Sequence, residues 1–156
     1  MTMTQERHTA TGGALTGRVA LVTGGTAGIG GAISQQLVGA GAAVAAGYWR
    51  HQERAARCQA DMAARYPDRL FTVHEGNIGS AGDCRRVVTE VIERHGRLDI
   101  LVNNAGITID KTVAKMADDD WQRVIAVNLS GAFFMARPPW NTWSSRAPGG
   151  SSTCPR

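Results

Sequence analysis

The chain has 156 residues, 43% of them hydrophobic and 19% charged, which is enough for one domain with a real core. Its net charge of +4 is mostly a tail effect: Arg137, Arg146 and Arg156 fall in the last twenty residues, which contain no acid, and the other 14 basic residues face 13 acidic ones. No basic stripe carries interleaved aromatics, which argues against nucleic-acid binding, and the polar, Thr-rich start from Met1 to Gly17 has no apolar run of signal or membrane type.

Residues 1–17 are expected to be a flexible extension. Val19-Ala20-Leu21-Val22 is a short apolar run that reads as a buried strand, ending at Thr23-Gly24-Gly25. A helix pattern follows with Ile29, Ala32, Ile33, Leu37 and Ala40 on one face, closed by Gly41. Ala43 to Tyr48 is a second strand. His51 to Arg65 is helical by composition, and Tyr66-Pro67-Asp68 stops it. Leu70 to Val73 is a third strand. Cys84, Val87, Val88, Val91, Ile92 and His95 keep helical spacing up to Gly96.

Leu98 to Val102 is a fourth strand. Asp118-Asp119-Asp120 puts negative charge at a helix start, where the helix dipole favours it, and Trp121, Val124, Ile125, Leu129, Ala132 and Phe133 form an apolar stripe behind it. Strands alternate with helices throughout, and the strands are apolar on both faces. The expected fold is therefore α/β, with a parallel sheet and right-handed crossovers.

The segment Thr23-Gly24-Gly25-Thr26-Ala27-Gly28-Ile29-Gly30 lies between a strand and a helix. Glycines there let the backbone turn sharply and approach a pyrophosphate, while the helix N-terminus offers free N–H groups. The spacing is G-x-x-x-G-x-G. Together with Asn103-Asn104-Ala105-Gly106 at the end of the fourth strand, it resembles the short-chain dehydrogenase/reductase family over about residues 18 to 137. The resemblance implies a Rossmann-type doubly wound parallel sheet, of which this span is the N-terminal half in strand order 3-2-1-4. It also implies a dinucleotide site built from Gly24, Thr26, Ala27, Gly28, Ile29 and Gly30, with Asn104, Ala105, Gly106, Ile107 and Thr108 lining the cofactor.

The end of the second strand bears on cofactor choice. An acid about twenty residues after the glycines would hold the ribose 2′-OH of NAD. Here that place is Tyr48-Trp49-Arg50-His51, with no acid until Glu53. NADP(H) is expected over NAD(H), with Arg50 and then Arg54 as partners of the 2′-phosphate; the alternative is that both arginines are solvated. Gly76, Asn77 and Ile78 stand where the family contacts adenine. The Gly-Asn form, with Asn104-Ala105-Gly106-Ile107-Thr108 and Asp110, resembles acetoacetyl-CoA reductases and 3-oxoacyl carrier-protein reductases. Asp110 is a candidate substrate contact.

Asn128 falls on the apolar stripe, where a buried amide must be hydrogen-bonded. It either caps a local kink or serves the site. Val127-Asn128-Leu129 matches the family position whose Asn holds a water in the proton relay. None of the four histidines is assigned to catalysis; His74 and His95 end a strand and a helix, where a cation is welcome. Cys58, Cys84 and Cys154 have no metal-ligand spacing, so no metal is expected and a reducing cytoplasm suits them.

The family's Tyr-x-x-x-Lys pair does not occur: Tyr48 is followed four later by Gln52 and Tyr66 by Leu70, and the lysines are Lys111 and Lys115. From Arg137 the sequence turns to Pro, Ser, Gly and Arg, and residues 138–156 are expected to be a disordered tail read out of frame. Restoring one base after Arg137 permits a reading that ends Arg-Ile-Val-Asn-Val-Ser-Ser, the family's fifth strand and serine. The chain is expected to be an inactive, poorly soluble, cytoplasmic piece of an NADPH-dependent 3-oxoacyl thioester reductase from a homo-oligomeric lineage, with no nucleic-acid or membrane partner. A non-catalytic dinucleotide-binding module is the alternative.

Overall fold

The computed structural model describes residues 13–138. The expected tail and most of the expected N-terminal extension lie outside these residues. Four strands form one parallel sheet: β1 (Val19–Val22), β2 (Ala43–Tyr48), β3 (Phe71–Glu75) and β4 (Ile100–Val102), in the order β3-β2-β1-β4. Register is direct, with Leu21 opposite Ala45 on one side and Leu101 on the other. Three helices make the crossovers: α1 (Gly28–Gly39), α2 (Gln52–Arg65) and α3 (Ala81–His95).

Side chains alternate across β1 and so feed two cores. Val19 and Leu21 pack with Cys84, Val87, Val88, Val91 and Met135 on the α3 face. Ala20 and Val22 pack with Val38, Val44, Ala46, Met62 and Phe71 on the α1–α2 face. Each fully buried Val or Leu contributes about 1.5–3 kcal/mol relative to exposure. This two-sided burial is why the strands read as continuous apolar runs.

Several expectations are corrected. Residues 13–17 belong to the domain rather than to a loose extension: the Leu15 amide donates to the Ala40 carbonyl, and Leu15 packs on the α1–α2 core. The inward face of α1 is Gly30, Ser34 and Val38, while Ile29 is 78% exposed. The cause is the glycine turn beneath it, where the Ser34 hydroxyl donates to the Gly25 carbonyl at 2.9 Å and pulls that face inward. The third strand runs to Glu75, and the fourth is only three residues long, because Asp99 turns aside to hold the strand starts. Its carboxylate accepts from the Val19 amide at 2.9 Å and from Arg97 and Arg18. Burial alone would push that carboxyl up, but these donors outweigh it and hold it below the usual carboxylate range.

Beyond β4, α4 (Asp118–Ile125) continues through a π turn at Ala126–Ser130 into α5 (Gly131–Ala136). The expected apolar stripe is turned away from the described core: Trp121, Leu129 and Phe133 are 56%, 65% and 59% exposed, and Gly131 and Met135 are the buried positions.

His74 and His95 do not sit as surface cations. Both rings contact the Thr72 hydroxyl, at 2.9 and 2.7 Å, and His74 Nδ1 faces the Glu90 carboxylate at 3.2 Å. Thr72 has one proton to give. With Nδ1–H of His74 donating to Glu90, Thr72 donates to His74 Nε2 and accepts from His95 Nε2–H. That leaves His95 Nδ1 as a buried lone pair without a partner. Burial first, then electrostatic repulsion from the His74 and Arg94 side, push His95 down to about 4, and a proton on Nδ1 would find no acceptor.

The unfolded ring titrates near 6.5, so between pH 6.5 and 4 the unfolded state takes up a proton that the folded state refuses. Stability is expected to fall as pH drops through that window. His95→Gln should flatten the dependence of the urea midpoint between pH 7 and 4; an unchanged slope would contradict the assignment.

Candidate functional site

Two depressions open at the C-terminal end of the sheet. This is the place where the chain, having wound from β1 to β2 and β3 on one side, crosses to β4 on the other, and where open α/β sheets hold their ligands. The first is a cleft of about 420 Å³, lined by Gly24, Gly47, Tyr48, Trp49, His51, Gly76, Asn77, Ile78, Asn104, Ala105, Gly106, Ile107 and Val127. The second is a groove of about 480 Å³ between α1 and α2, whose lining includes Thr26, Gly28 and Arg54.

The glycine turn is shaped by its neighbours. Gly24 and Gly28 have φ of +65° and +54°, a region that costs other residues strain. Gly30 is in ordinary helical conformation, but a Cβ there would overlap the Gly24 carbonyl and Asn104 Nδ2. The turn is bolted to the end of β4. Thr23 Oγ1 accepts from the amides of Asn104 and Ala105 at 2.9 and 3.0 Å, and Asn104 Nδ2 donates to the Thr23 carbonyl at 2.9 Å.

The start of α1 differs from those of α3 and α4. Ala27 gives it no side-chain cap, and no acid lies in its first turn. By contrast, α3 has Ser80 accepting from the Asp83 amide, and α4 opens on Asp118, Asp119 and Asp120. The opening amides of α1 thus have neither an intrahelical acceptor nor an acid in their own turn, and they and the dipole favour an external anion.

The sequence-predicted residues distribute as follows. Gly24, Gly76, Asn77, Ile78, Asn104, Ala105, Gly106 and Ile107 share the cleft. Asn77 Oδ1 is engaged by the Gly79 amide and its own amide donates to Asp83, so it shapes the turn as well as lining the cleft. Thr108 and Asp110 are exposed on the following loop and line neither depression.

Arg50 takes a left-handed conformation, φ +66°, with its amide toward Glu75 at 3.4 Å and its guanidinium 5.4 Å from the Trp49 ring centre. Asn128 is exposed rather than buried, because the π turn rotates it off the helix face. It clamps Ile107, whose amide donates to Oδ1 at 2.8 Å while Nδ2 donates to the Ile107 carbonyl at 2.9 Å. Asn128 thus lies in an irregular turn and fixes a backbone segment that borders the cleft.

Sequence reasoning missed Gly47, Tyr48, Trp49, His51 and Val127 as cleft residues. For Gly47, Tyr48, Trp49 and His51 the signal was the end of a buried strand at a crossover, where the exit turn borders the cleft, although its charged residue Arg50 is not among the lining residues.

Residues 18–151 match the family model described as short chain dehydrogenase, a span that continues past the Arg137 break expected from the sequence. The chain belongs to the short-chain dehydrogenase family. It is 40% identical over 130 residues to an acetoacetyl-CoA reductase of Shinella zoogloeoides, covering 83% of this chain and 51% of that protein. Over 114 residues it is 39% identical to a 3-oxoacyl acyl-carrier-protein reductase of Staphylococcus aureus, covering 73% and 46%.

Among solved structures, it resembles a putative short-chain alcohol dehydrogenase from Sinorhizobium meliloti 1021 at a TM-score of 0.78 and 33% identity, covering 85% of this chain and 51% of that one. A blue fluorescent protein from a metagenomic library, crystallised with NADPH, matches at 0.77 and 29% identity, covering 82% and 52%. The chain spans about half the length of the relatives it matches.

Proposed function

We propose that this domain holds a nicotinamide dinucleotide, NADP(H) in preference to NAD(H), and that its lineage reduces 3-oxoacyl thioesters of acetoacetyl-CoA type. The observation that carries the reading is the uncapped start of α1 facing the Thr23–Asn104 bolt at the crossover point of a parallel sheet. The turn suits a pyrophosphate because Gly28 leaves open space where a Cβ would stand, Gly30 packs tightly on Gly24 and Asn104, and the helix end supplies amides instead of side chains.

Gly24 and the residues from Thr26 to Gly30 would hold the paired phosphates. Gly76, Asn77 and Ile78 would border the adenine, and Asn104 to Ile107 the ribose. A bound NADPH supplies hydride to a carbonyl carbon. Asn128 acts on this site through Ile107, holding that strand exit at fixed distance from α4. The absence of an acid between Tyr48 and Gln52 supports NADP(H).

The sequence contains no Tyr-x-x-x-Lys, which favours a second reading in which the chain as given is a non-catalytic dinucleotide-binding module. In either case it is expected to bind without turning over. NADPH should raise the melting temperature by several degrees, NADH by less, and acetoacetyl-CoA with NADPH should give no loss of absorbance at the nicotinamide band. Equal shifts would remove the NADP preference. No shift from either dinucleotide would remove the proposal.

A further inference from the structure

One wall of the cleft, Gly76 to Ile78, is the turn by which the chain leaves an edge strand. In the sheet order β3 stands last, with only β2 beside it. The bonds at the two ends of that ladder run from the Val44 amide to the Leu70 carbonyl and from the Gly76 amide to the Tyr48 carbonyl. Backbone groups alternate in direction along a strand, so the Phe71 and Glu75 carbonyls, one residue inward from each end, face away from β2. Each is met by a side chain. Gln59 of α2 donates to the Phe71 carbonyl at 3.4 Å, and Arg86 of α3 donates through Nη2 to the Glu75 carbonyl at 2.8 Å.

Arg86 is itself held. Its Nη1 donates to Glu90 Oε1 at 2.7 Å, one turn along α3, and the other oxygen of Glu90 faces His74 Nδ1 at 3.2 Å. His74 is buried in β3, and the Thr72 hydroxyl fixes its ring. The guanidinium therefore bridges a carbonyl of the edge strand and a carboxylate anchored on that same strand. Arg86 is half exposed, and exposed ion pairs alone contribute little. What matters is the carbonyl it fixes, because Gly76 follows Glu75 directly. Gly76 sits close on α3, where a Cβ would stand 2.7 Å from Val87 Cγ2, and the Asn77 amide donates to Asp83 at 2.9 Å. Asp83 and Arg86, one turn apart, thus pin the strand exit on both sides of Gly76.

We propose that Arg86 is a positioning residue for the cleft: held by Glu90 and His74, it fixes the Glu75 carbonyl and so sets where Gly76 to Ile78 stand against a bound adenine. Arg86 lines neither depression and acts only through the backbone it holds. The inference rests on the dinucleotide reading above.

The test uses the full chain and its Arg86→Ala, Arg86→Lys, Glu90→Gln and Arg85→Ala variants, with circular dichroism to confirm folding. Alanine is tolerated on an exposed helix face. Arg85 is the charge control, since it is also exposed on α3 and lines a separate depression beside Phe134. Calorimetry measures ADP, which carries an adenine, and inorganic pyrophosphate, which carries only the paired phosphates. Amide exchange of Gly76 and Asn77 is followed in the free chain.

Arg86→Ala should weaken ADP binding about tenfold and leave pyrophosphate within about twofold, while Arg85→Ala matches the parent for both. Arg86→Lys should recover part of the loss, because an ammonium can still donate to the carbonyl but lacks the fork. Glu90→Gln should weaken ADP by less and, combined with Arg86→Ala, should add nothing, since Glu90 acts through Arg86. A merely destabilising change would lower ADP and pyrophosphate together or be matched by Arg85→Ala; either result, or an unchanged ADP affinity in Arg86→Ala, overturns the proposal. A parent that binds neither ADP nor NADPH would sink the functional reading instead. Exchange then decides the clamp: Gly76 and Asn77 should exchange faster in Arg86→Ala than in Arg85→Ala, and equal rates overturn it.

Discussion

Gly30→Ala is expected to lower dinucleotide affinity by about a hundredfold and stability by about 1–3 kcal/mol. The sign is the informative part. Within a helix, glycine to alanine ordinarily stabilises by about 0.5–1 kcal/mol, since the unfolded chain loses freedom. At Gly30 the new methyl meets the Gly24 carbonyl and Asn104 Nδ2, both fixed by the bolt to Thr23. Neither can retreat without moving the turn whose amides are proposed to face the phosphates. Gly82, in the first turn of α3, is the control: a Cβ there has Ser80 Oγ as its nearest neighbour at 3.7 Å. Gly82→Ala should therefore stabilise while Gly30→Ala destabilises, as read by urea midpoints. The same sign at both positions would mean that the turn is not packed as described.

Thr23→Val should cost about 2–4 kcal/mol, although it conserves shape. Thr23 is 1% exposed, and its hydroxyl oxygen accepts from two successive amides, Asn104 and Ala105. Valine leaves the Ala105 amide without an acceptor and the Asn104 amide with only the Val102 carbonyl at 3.1 Å, and removing one partner of a hydrogen bond costs more than removing both. Thr23→Ser keeps the oxygen and loses only a methyl, so it should fall within about 1.5 kcal/mol of the parent. Equilibrium unfolding of the two variants separates the hydroxyl from the packing. Equal losses would show that the bolt holds nothing.

The sheet was legible because its information is local. Val19–Val22 and Ala43–Tyr48 are unbroken apolar runs, and only two-sided burial calls for that pattern. The C-terminal cap of α3 was legible too: Gly96 takes the left-handed conformation expected just past a helix end. What failed depended on contacts between distant segments. The face of α1 was read only in part: Ile33 and Leu37 do pack on the core, but Ser34, a polar residue, is drawn inward by a carbonyl nine residues away.

Asn128 looked buried because an ideal helix was assumed; the π turn at Ala126–Ser130 changes the phase, and no periodicity argument contains that shift. His95 read as a surface cation until the Thr72 hydroxyl, which lies twenty-three residues earlier, was seen to hold its ring. In the site, the glycine turn and Asn104 to Ile107 could be read from motif spacing. The division of the arginines could not, since Arg50 and Arg54 are alike in sequence and differ only in that one lies over Trp49 and the other lines a groove.

Amide hydrogen exchange with and without NADPH tests the central claim most directly, because it reads the turn itself. New protection should concentrate in Gly24 to Gly31 and in Asn104 to Ile107, the two segments joined by Thr23, with little change along α3. Saturating NADPH that leaves both segments exchanging as in the free chain would contradict the account.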